Sequence, residues 1–426
     1  MNRVKGTYDV LPNEIKKWQY LENIAKKVAT KYNFTEIRTP IFEYSGVFHR
    51  ESELSDMVTK ETYNFKDKGN RDITLRPEGT AGVIRAYVEN KLYVDNDLLK
   101  VYSIGPNFRY ERPQKGRYRQ FSQFSLEAIG IKSPLLDAEV IKMSQEFIET
   151  LGLKNVAIEI NSIGDLKSRE NYLEALIEYL TPFKEELSND SKERLIKNPL
   201  RILDSKDQKD QEIIKDAPKP IDYLSVESSK YFNELLNYLE SFNVNYKVNN
   251  QLVRGLDYYS DTVFEVKAEI KGFGAQNVLG GGGRYENLVN ELGGPKTSAI
   301  GFAFGMERLL YALEAEEVLN LEEDSLDVFI INFSKEFNLY TTSLLTELRN
   351  NNYLVDLDFS NKSFKSQLKK ALKLNAKMLV IVGDEEFNNN MVTVKNTKTE
   401  EQTTVTKNDL IKTIKKELGY WNADTL

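Results

Sequence analysis

Residues 108–127 read FRYERPQKGRYRQFSQFSLE. RPQKG is a turn, and the residues on both sides alternate as strands do, so the segment reads as a β-hairpin. Period-two geometry puts Arg117, Arg119, Phe121, Gln123, Ser125 and Glu127 on one face of the second strand. By the same rule Asn107, Arg109 and Glu111 share a face of the first. One surface then carries guanidinium groups near the turn, an aromatic ring midway, and an amide followed by a carboxylate at the far end. At about 3.4 Å per residue, Gln123 to Glu127 spans roughly 14 Å and Arg119 to Glu127 roughly 27 Å. Such a strip suits a compound ligand with phosphates at one end and a cationic or N–H-rich group at the other. Arginine fits the phosphate end because its planar fork binds oxyanions bidentately. An exposed hairpin with solvated arginines accounts for the same residues equally well.

The rest of the chain narrows the chemistry. A length of 426 residues is long for one core and implies two or three domains. At 40% hydrophobic and 29% charged residues the composition is that of an ordinary globular protein. The runs VFII (328–331) and MLVIV (378–382) fit buried strands and fall far short of a membrane span. The opening MNRVKGTYDVLPNEIKKW lacks the apolar core of a signal peptide, so a cytoplasmic location is expected. The absence of cysteine excludes disulfides, Cys-ligated zinc and thiol nucleophiles. The single histidine, His49, cannot build a His-rich metal site and reads as a loop or packing residue. Carboxylates, arginines and tyrosines, with Mg²⁺ at most, are left to carry the chemistry. A net charge of −7 argues against indiscriminate DNA coating but not against local basic patches for a nucleic acid.

Periodicity predicts a helix over 12–32, strand character interrupted by Pro40 over 34–44, a strand passing into a helix over 72–92, and helices at 134–151 and 165–182. Residues 187–220 are highly charged and weakly periodic, and read as part of an inserted, mostly helical module. Beyond the acidic stretch EAEEVLNLEEDS (314–325), strands and helices alternate as in a βαβαβ domain with parallel strands. On a helix near 361–374, Phe364, Leu368 and Leu372 form a stripe expected in the core. Lys362, Lys365, Lys369 and Lys373 form a solvated face that is also a candidate for RNA phosphates.

With those elements in view, GPNFRYERPQKGRYRQFSQFSLEAIG resembles motif 2 of the class II aminoacyl-tRNA synthetases, and of the histidyl-tRNA synthetase family in particular. LVRGLDYYSDTVFEV resembles the signature of that family, GFAFGMERLL resembles motif 3, and EIRTPIFEY resembles the dimer-forming motif 1. KGTYDVLP, TLRPEGT and GGGGRYENL match as well, so the resemblance covers essentially the whole chain. It implies an α+β fold. Residues 1–325 would be a class II catalytic domain with a six-stranded antiparallel sheet and an inserted helical module near 170–241. Residues 326–426 would be an α/β anticodon-binding domain.

The implied activity is ATP-dependent: histidine is activated to histidyl-adenylate and transferred to the 3′ end of histidine tRNA, by a homodimer using Mg²⁺. Carried over by position, Arg109 and Arg254 hold the α-phosphate, Arg254 during attack. Glu111 reads the adenine, Phe121 and Arg308 stack on it, Arg308 also faces the γ-phosphate, and Arg117 joins the ATP set. Glu78, Thr80 and Gln123 take the histidine amino group, Glu127 and Tyr258 meet the imidazole, and Tyr259 lines the pocket. Arg112 and Gln114 match positions that read the tRNA's extra 5′ nucleotide. No protein metal ligands are implied.

Taken singly, RPEGT (76–80) reads as a turn, GGGG (280–283) as close backbone packing, and Arg308 as a helix-surface arginine. The chain departs from the family pattern at Ser52 and Glu53, at Ser122 where histidine is common, at Ser125 where glycine is usual, and at Ser260–Asp261 where Thr-Gly is usual. Ser125 is expected to add bulk between Gln123 and Glu127. The competing reading is a synthetase-like regulatory subunit of histidine biosynthesis, which typically lacks the RGLDYY-type signature and the anticodon domain. A synthetase for another amino acid is disfavoured by Glu127 with the tyrosine pair, and a pure RNA-binding protein would not need phosphate-gripping arginines on three segments.

Overall fold

The computed structural model describes residues 1–50, 53, 55–114, 116–270, 277–319, 321 and 324–419. Ser52, Lys115 of the hairpin turn and part of the acidic stretch lie outside them. The chain divides into two compact units, Met1–Leu321 and Glu322–Leu426.

The first unit contains strands β1 (Thr35–Glu36), β2 (Phe42–Tyr44), β3 (Tyr63–Lys66), β4 (Asp72–Leu75), β5 (Leu99–Phe108) and β6 (Gln120–Gly130). They are followed by β7 (Val156–Ser162), β8 (Tyr246–Val248), β9 (Tyr259–Ala268), β10 (Val278–Tyr285) and β11 (Ser298–Gly305). The main sheet runs β1-β5-β6-β11-β10-β9-β7-β8. Its six inner strands pair antiparallel, as the resemblance implies, and two short edge strands, β1 and β8, add on parallel. Strands β2, β4 and β3 form a separate small sheet. Pro40 falls between β1 and β2, where its missing N–H costs no ladder bond.

Alternation along β6 decides what the sheet presents. Phe124, Leu126 and Ala128 are buried in the main core with Phe147, Phe264, Phe302 and Phe304. The helices Ile15–Lys31, Pro134–Thr150 and Met306–Ala315 cover that face, contributing Trp18, Leu21, Ile141 and Leu309. The intervening residues Phe121, Gln123 and Glu127 face the other way, into a cavity. The core is pinned by Arg284 and Asp137, both fully buried. Thr262 and Tyr231 also donate to the Asp137 carboxylate.

Between β7 and β8 the helices Leu166–Leu180, Asn189–Lys197 and Gln208–Ile214 enclose a small core of their own, with Tyr172, Leu176, Leu180, Leu200, Ile202 and Ile214. The next helix, Val226–Ser241, buries Phe232, Leu235 and Leu239 in the main core instead. Of the expected module of 170–241, residues 172–214 therefore build the separate core, joined by Val253 from outside it, while the last helix belongs to the main core.

In the second unit, β12 (Val328–Asn332), β13 (Val355–Leu357), β14 (Met378–Val382), β15 (Met391–Asn396) and β16 (Gln402–Thr406) form one sheet in the order β13-β12-β14-β15-β16. β12 pairs parallel with β13 and β14, but β15 and β16 return antiparallel, so the all-parallel expectation holds for three strands only. The chain after β14 reaches β15 through a short helix, Asp384–Asn388, too short for a crossover. The stripe expected on the helix Phe364–Lys373 is also corrected. Gln367 and Ala371 are the buried pair and Leu368 packs against the core as expected, while Phe364 and Leu372 are exposed. Gln367 sets that rotation: its amide bonds Asn332 N, Asn332 O and Lys362 O at 3.2, 2.7 and 2.6 Å.

Candidate active site

A cavity of about 210 Å³ opens on the face of the main sheet away from the core. Its walls come from the 76–80 loop, both strands of the 108–127 hairpin, the segment before β9, β10, β11 and the start of the helix Met306–Ala315. Glu78, Thr80, Gln123, Glu127, Tyr258 and Tyr259 line it, as do Arg109, Glu111, Arg117, Phe121, Arg254 and Arg308. Arg112 is exposed outside it. Gln114 lies in an adjoining groove of about 630 Å³ that it shares with Arg109 and Arg117 and with Arg194, Arg201 and Lys206 of the inserted helices.

The carboxylate end is buried. Glu127 is 3% exposed and accepts hydrogen bonds from Thr80 Oγ1 and Tyr285 Oη, both at 2.6 Å. Burial pushes its carboxyl up to about 8, although the two hydroxyl donors pull the other way. Burial also raises Tyr258 and Tyr285 well above the ordinary phenol, so both remain hydrogen-bond donors. Across the sheet Glu127 pairs with Gly301, where a Cβ would lie 2.0 Å from its Oε2. The bare backbone at 301 is thus a requirement of the carboxylate's position. Glu78 accepts from the N–H groups of Thr80 and Ala81 at 2.5 and 2.8 Å, capping the helix Thr80–Glu89. Gln123 Oε1 accepts from Asn107 Nδ2 at 2.6 Å, which fixes the amide across the hairpin.

The other end is cationic and held rigidly. Arg109 donates through Nε to Pro77 O at 2.9 Å and lies 5.1 Å over the Phe121 ring. Glu111 sits 3.2 Å from Arg117 and 3.9 Å from Arg109. Arg308, in the first turn of its helix as expected, donates to Val278 O and Gly116 O at 2.7 and 3.2 Å. Burial, with Arg117 nearby, lowers its affinity for the proton. Arg254 donates to Glu265 at 2.6 Å. Burial disfavours its charge, but Glu265 reverses the shift and holds it cationic. Gly281 leaves room for that guanidinium, since a Cβ there would lie 2.8 Å from Nη1.

Arg119 leaves the ligand face on which period two had put it. β6 begins only at Gln120, so alternation does not extend back to 119. Its guanidinium lies 3.9 Å over the Tyr110 ring and donates to Glu111 O. Ser125 is buried but does not line the cavity. Gly79 faces it, a Cβ there lying 3.7 Å from Ser125 Oγ, so its bulk is absorbed on the 76–80 loop. Asp261 takes φ +44°, the left-handed conformation glycine adopts freely, and its buried carboxylate binds Lys132 and Ser228 at 2.7 and 2.9 Å. His49 is exposed and shares Nε2 with Asn64 and Thr62. The glycines of GGGG pack as expected: a Cβ at Gly282 would lie 1.9 Å from Gly301 O.

Sequence reasoning missed Tyr285, Glu307 and Tyr8. Tyr285 lies in the matching stretch GGGGRYENL, but only its glycines drew attention there. Glu307, beside Arg308, accepts from Tyr8 Oη and Ser122 N, both at 2.8 Å, so the N-terminal segment braces the cationic end. The motifs KGTYDVLP and GFAFGMERLL carried both residues, but only folding shows that they meet.

Comparison with known proteins agrees with this geometry. A family model described as histidyl-tRNA synthetase matches residues 6–309, and one for the anticodon binding domain matches residues 327–417. A histidine–tRNA ligase of Acholeplasma laidlawii is 57% identical over 416 residues, covering 98% of this chain and 99% of the relative. One from Ligilactobacillus salivarius is 48% identical over 389 residues, 90% of each chain. The crystal structure of apo S. aureus histidyl-tRNA synthetase aligns with a TM-score of 0.83 at 40% identity, covering 97% of this chain and 100% of that one.

Proposed function

The chain belongs to the histidyl-tRNA synthetase family and its reaction is the ATP-dependent ligation of histidine to tRNA, and from that premise we propose how its own residues divide the work. The histidine carboxylate attacks the α-phosphorus of ATP. A new P–O bond forms, the bond to the bridging oxygen of the β-phosphate breaks, and pyrophosphate leaves with the electron pair. No proton has to be abstracted, so positioning and charge stabilisation suffice. Arg109 and Arg254, from different segments, stabilise the charge that develops on the α-phosphate oxygens. Phe121 and Arg308 sandwich the adenine, Glu111 accepts from its amino group, and Arg117 and Arg308 meet the outer phosphates. A hydroxyl of the tRNA's terminal adenosine then attacks the acyl carbon, the acyl C–O bond to the phosphate breaks, and AMP departs with the hydroxyl proton taken up on its phosphate.

At the opposite end, Glu127 and Tyr258 bind the imidazole nitrogens and Tyr259 lines the ring. Glu78, Thr80 and Gln123 take the α-ammonium. A site that satisfies buried polar groups through imidazole rejects analogues lacking those nitrogens by on the order of 10⁴.

Among the described residues no three His, Asp or Glu side chains gather as metal ligands, and Glu111 and Glu265 are already paired with arginines. Mg²⁺ accompanying the polyphosphate of ATP would neutralise the leaving pyrophosphate.

Arg112 and Gln114 reach for the 5′ end of the tRNA acceptor stem, and the second unit for the anticodon. Exposed Ile41, Phe42, Tyr44 and Phe65 on the small sheet and beside it form the face by which two copies pair. A cytoplasmic location accords with these substrates, and no helix of the described residues is long and apolar enough to cross a membrane.

The observation that carries this reading is the single cavity whose walls run from Arg109, Arg254 and Arg308 to Glu127. Histidine-dependent exchange of labelled pyrophosphate into ATP tests it. Exchange by the wild type that Arg254→Ala and Glu127→Ala each lower by at least about a hundredfold supports the assignment. Near-wild-type exchange in either variant removes that residue from its role.

A further inference from the structure

Arg254 lies in an irregular segment. β8 ends at Val248 and β9 begins at Tyr259, and no strand or helix lies between them. A guanidinium that must meet a phosphate to within about half an ångström needs support that such a segment does not supply itself. Part of the support comes from the sheet, where Glu265 takes the Arg254 side chain and Asn161 Nδ2 donates to Leu252 O at 3.0 Å. The rest comes from the inserted helices. Val253 is buried among Leu176, Leu200 and Ile202, in the module's own core and not in the main one. Arg201 Nη1 donates to the backbone carbonyl of Arg254 at 3.1 Å. Three residues on, Asn198 Nδ2 donates to Asp257 Oδ1 at 2.6 Å and Arg169 Nη1 to Asp257 O at 2.9 Å. Residues 253–257 are thus gripped by side chain, main chain and core packing of a module that contributes no residue to the cavity wall itself.

We propose that the inserted helical module positions the α-phosphate arginine, and that Arg201, with Asn198, is a positioning residue for amino-acid activation acting through Arg254. The inference rests on the assignment of Arg254 given above and extends it to a part of the fold that assignment leaves without a task. Arg201 does not touch the ligand. Its charged donor fixes the peptide carbonyl from which the catalytic side chain departs, and a charge-assisted bond of that kind is stronger than a neutral one. Misplacement of a reacting group by about 1 Å costs on the order of 100-fold in rate, so loss of the Arg201 bond is expected in kcat and not in substrate affinity.

The test uses the full-length protein and pyrophosphate exchange in the absence of tRNA. Arg201→Ala is expected to lower kcat by about 10- to 100-fold with KM for histidine and ATP changed less than about twofold. Arg201→Lys, which keeps one cationic donor, is expected to recover part of the loss, and Asn198→Ala to repeat it in milder form. The decisive comparison is the double variant. In an Arg254→Ala background, Arg201→Ala is expected to cost nothing further, because the residue through which it acts is gone. An equal fractional loss in both backgrounds overturns the proposal. So does unchanged exchange in Arg201→Ala with a defect confined to tRNA charging, which would make the module a tRNA-binding element alone. Near-wild-type exchange in Arg254→Ala by itself sinks the assignment of Arg254 and the proposal with it. An Arg254→Ala enzyme with much reduced but measurable exchange, in which Arg201→Ala costs the same fraction again, sinks only the proposal.

Discussion

Glu127 is a carboxyl whose proton affinity is raised by its surroundings, from 4.5 to about 8, chiefly by burial. Stability from this group is full below the unfolded value and is lost as pH rises through the folded one, because the native chain holds a proton that the unfolded chain has released. Each pH unit between the two values then removes about 1.4 kcal/mol. Ligand-free Glu127→Gln cannot ionise. Against the wild type it is expected to gain up to about 4 kcal/mol between pH 5 and pH 8.5, read from denaturant unfolding at the two pH values. The same variant is expected to lose about 3 kcal/mol of transition-state stabilisation in histidine activation, roughly a hundredfold in kcat/KM. Asp261 makes a second residue-scale case. Asp261→Ala keeps the left-handed backbone and removes the bonds to Lys132 and Ser228, with an expected loss of about 2–3 kcal/mol in urea unfolding. Asp261→Gly relieves the backbone while losing the same bonds, so its net change should stay within about 1 kcal/mol.

At the scale of elements, the register of β6 against β11 makes the histidine selection proposed for Glu127 a property of two strands. Glu127 needs a neighbour without a side chain, and Gly301 is its partner in the ladder. Gly301→Ala would put a Cβ 2.3 Å from Leu126 O as well as 2.0 Å from Glu127 Oε2. It should therefore lower the melting temperature and abolish pyrophosphate exchange, whereas Gly293→Ala, where a Cβ meets nothing within 4 Å and only the left-handed backbone at φ +87° is strained, should lower the melting temperature and leave exchange intact. Elements are also where the sequence reads most clearly. The alternation of FSQFSLE holds in β6 because one face is core and the other cavity. It fails at Arg119, since the strand has not yet begun there, and no residue-type pattern marks that start. The helix Phe364–Lys373 misleads for another reason. Apolar spacing pointed to 364, 368 and 372, but the buried amide of Gln367 turns the inward face by one residue, and a polar core residue has no hydrophobic signature. The main-chain role of Arg201 is equally invisible, because a hydrogen bond to a carbonyl leaves no trace in residue type.

For the whole molecule, the proposed pairing of two copies has a direct check. Phe42 and Tyr44 project from the short outer strand of the small sheet, each 55% exposed. An apolar face of this kind is covered in solution if it is an interface. Phe42→Asp is expected to shift sedimentation from twice the chain mass of 49.1 kDa toward once that mass, and to lower exchange activity together with it. A wild-type protein sedimenting at one chain mass would refute the homodimer. The charge balance bears on the same scale. A chain of net −7 concentrates arginines at one end of one cavity and in the groove beside it, which is why composition alone gave no hint of a nucleotide or an RNA.

The order of strands also has a consequence for how the chain is made. β6 gains β5 as a neighbour almost as soon as it leaves the ribosome, but its other neighbour, β11, is encoded roughly 170 residues later, a delay of about 10–30 s at bacterial or slower translation rates. During that interval the strand bearing Glu127 is a bare edge whose alternate residues, about five of them, leave N–H and C=O groups unpaired and open to any extended segment nearby. Protection of that edge until β11 is made should therefore bear on its yield in a cell alongside the stability of the finished fold.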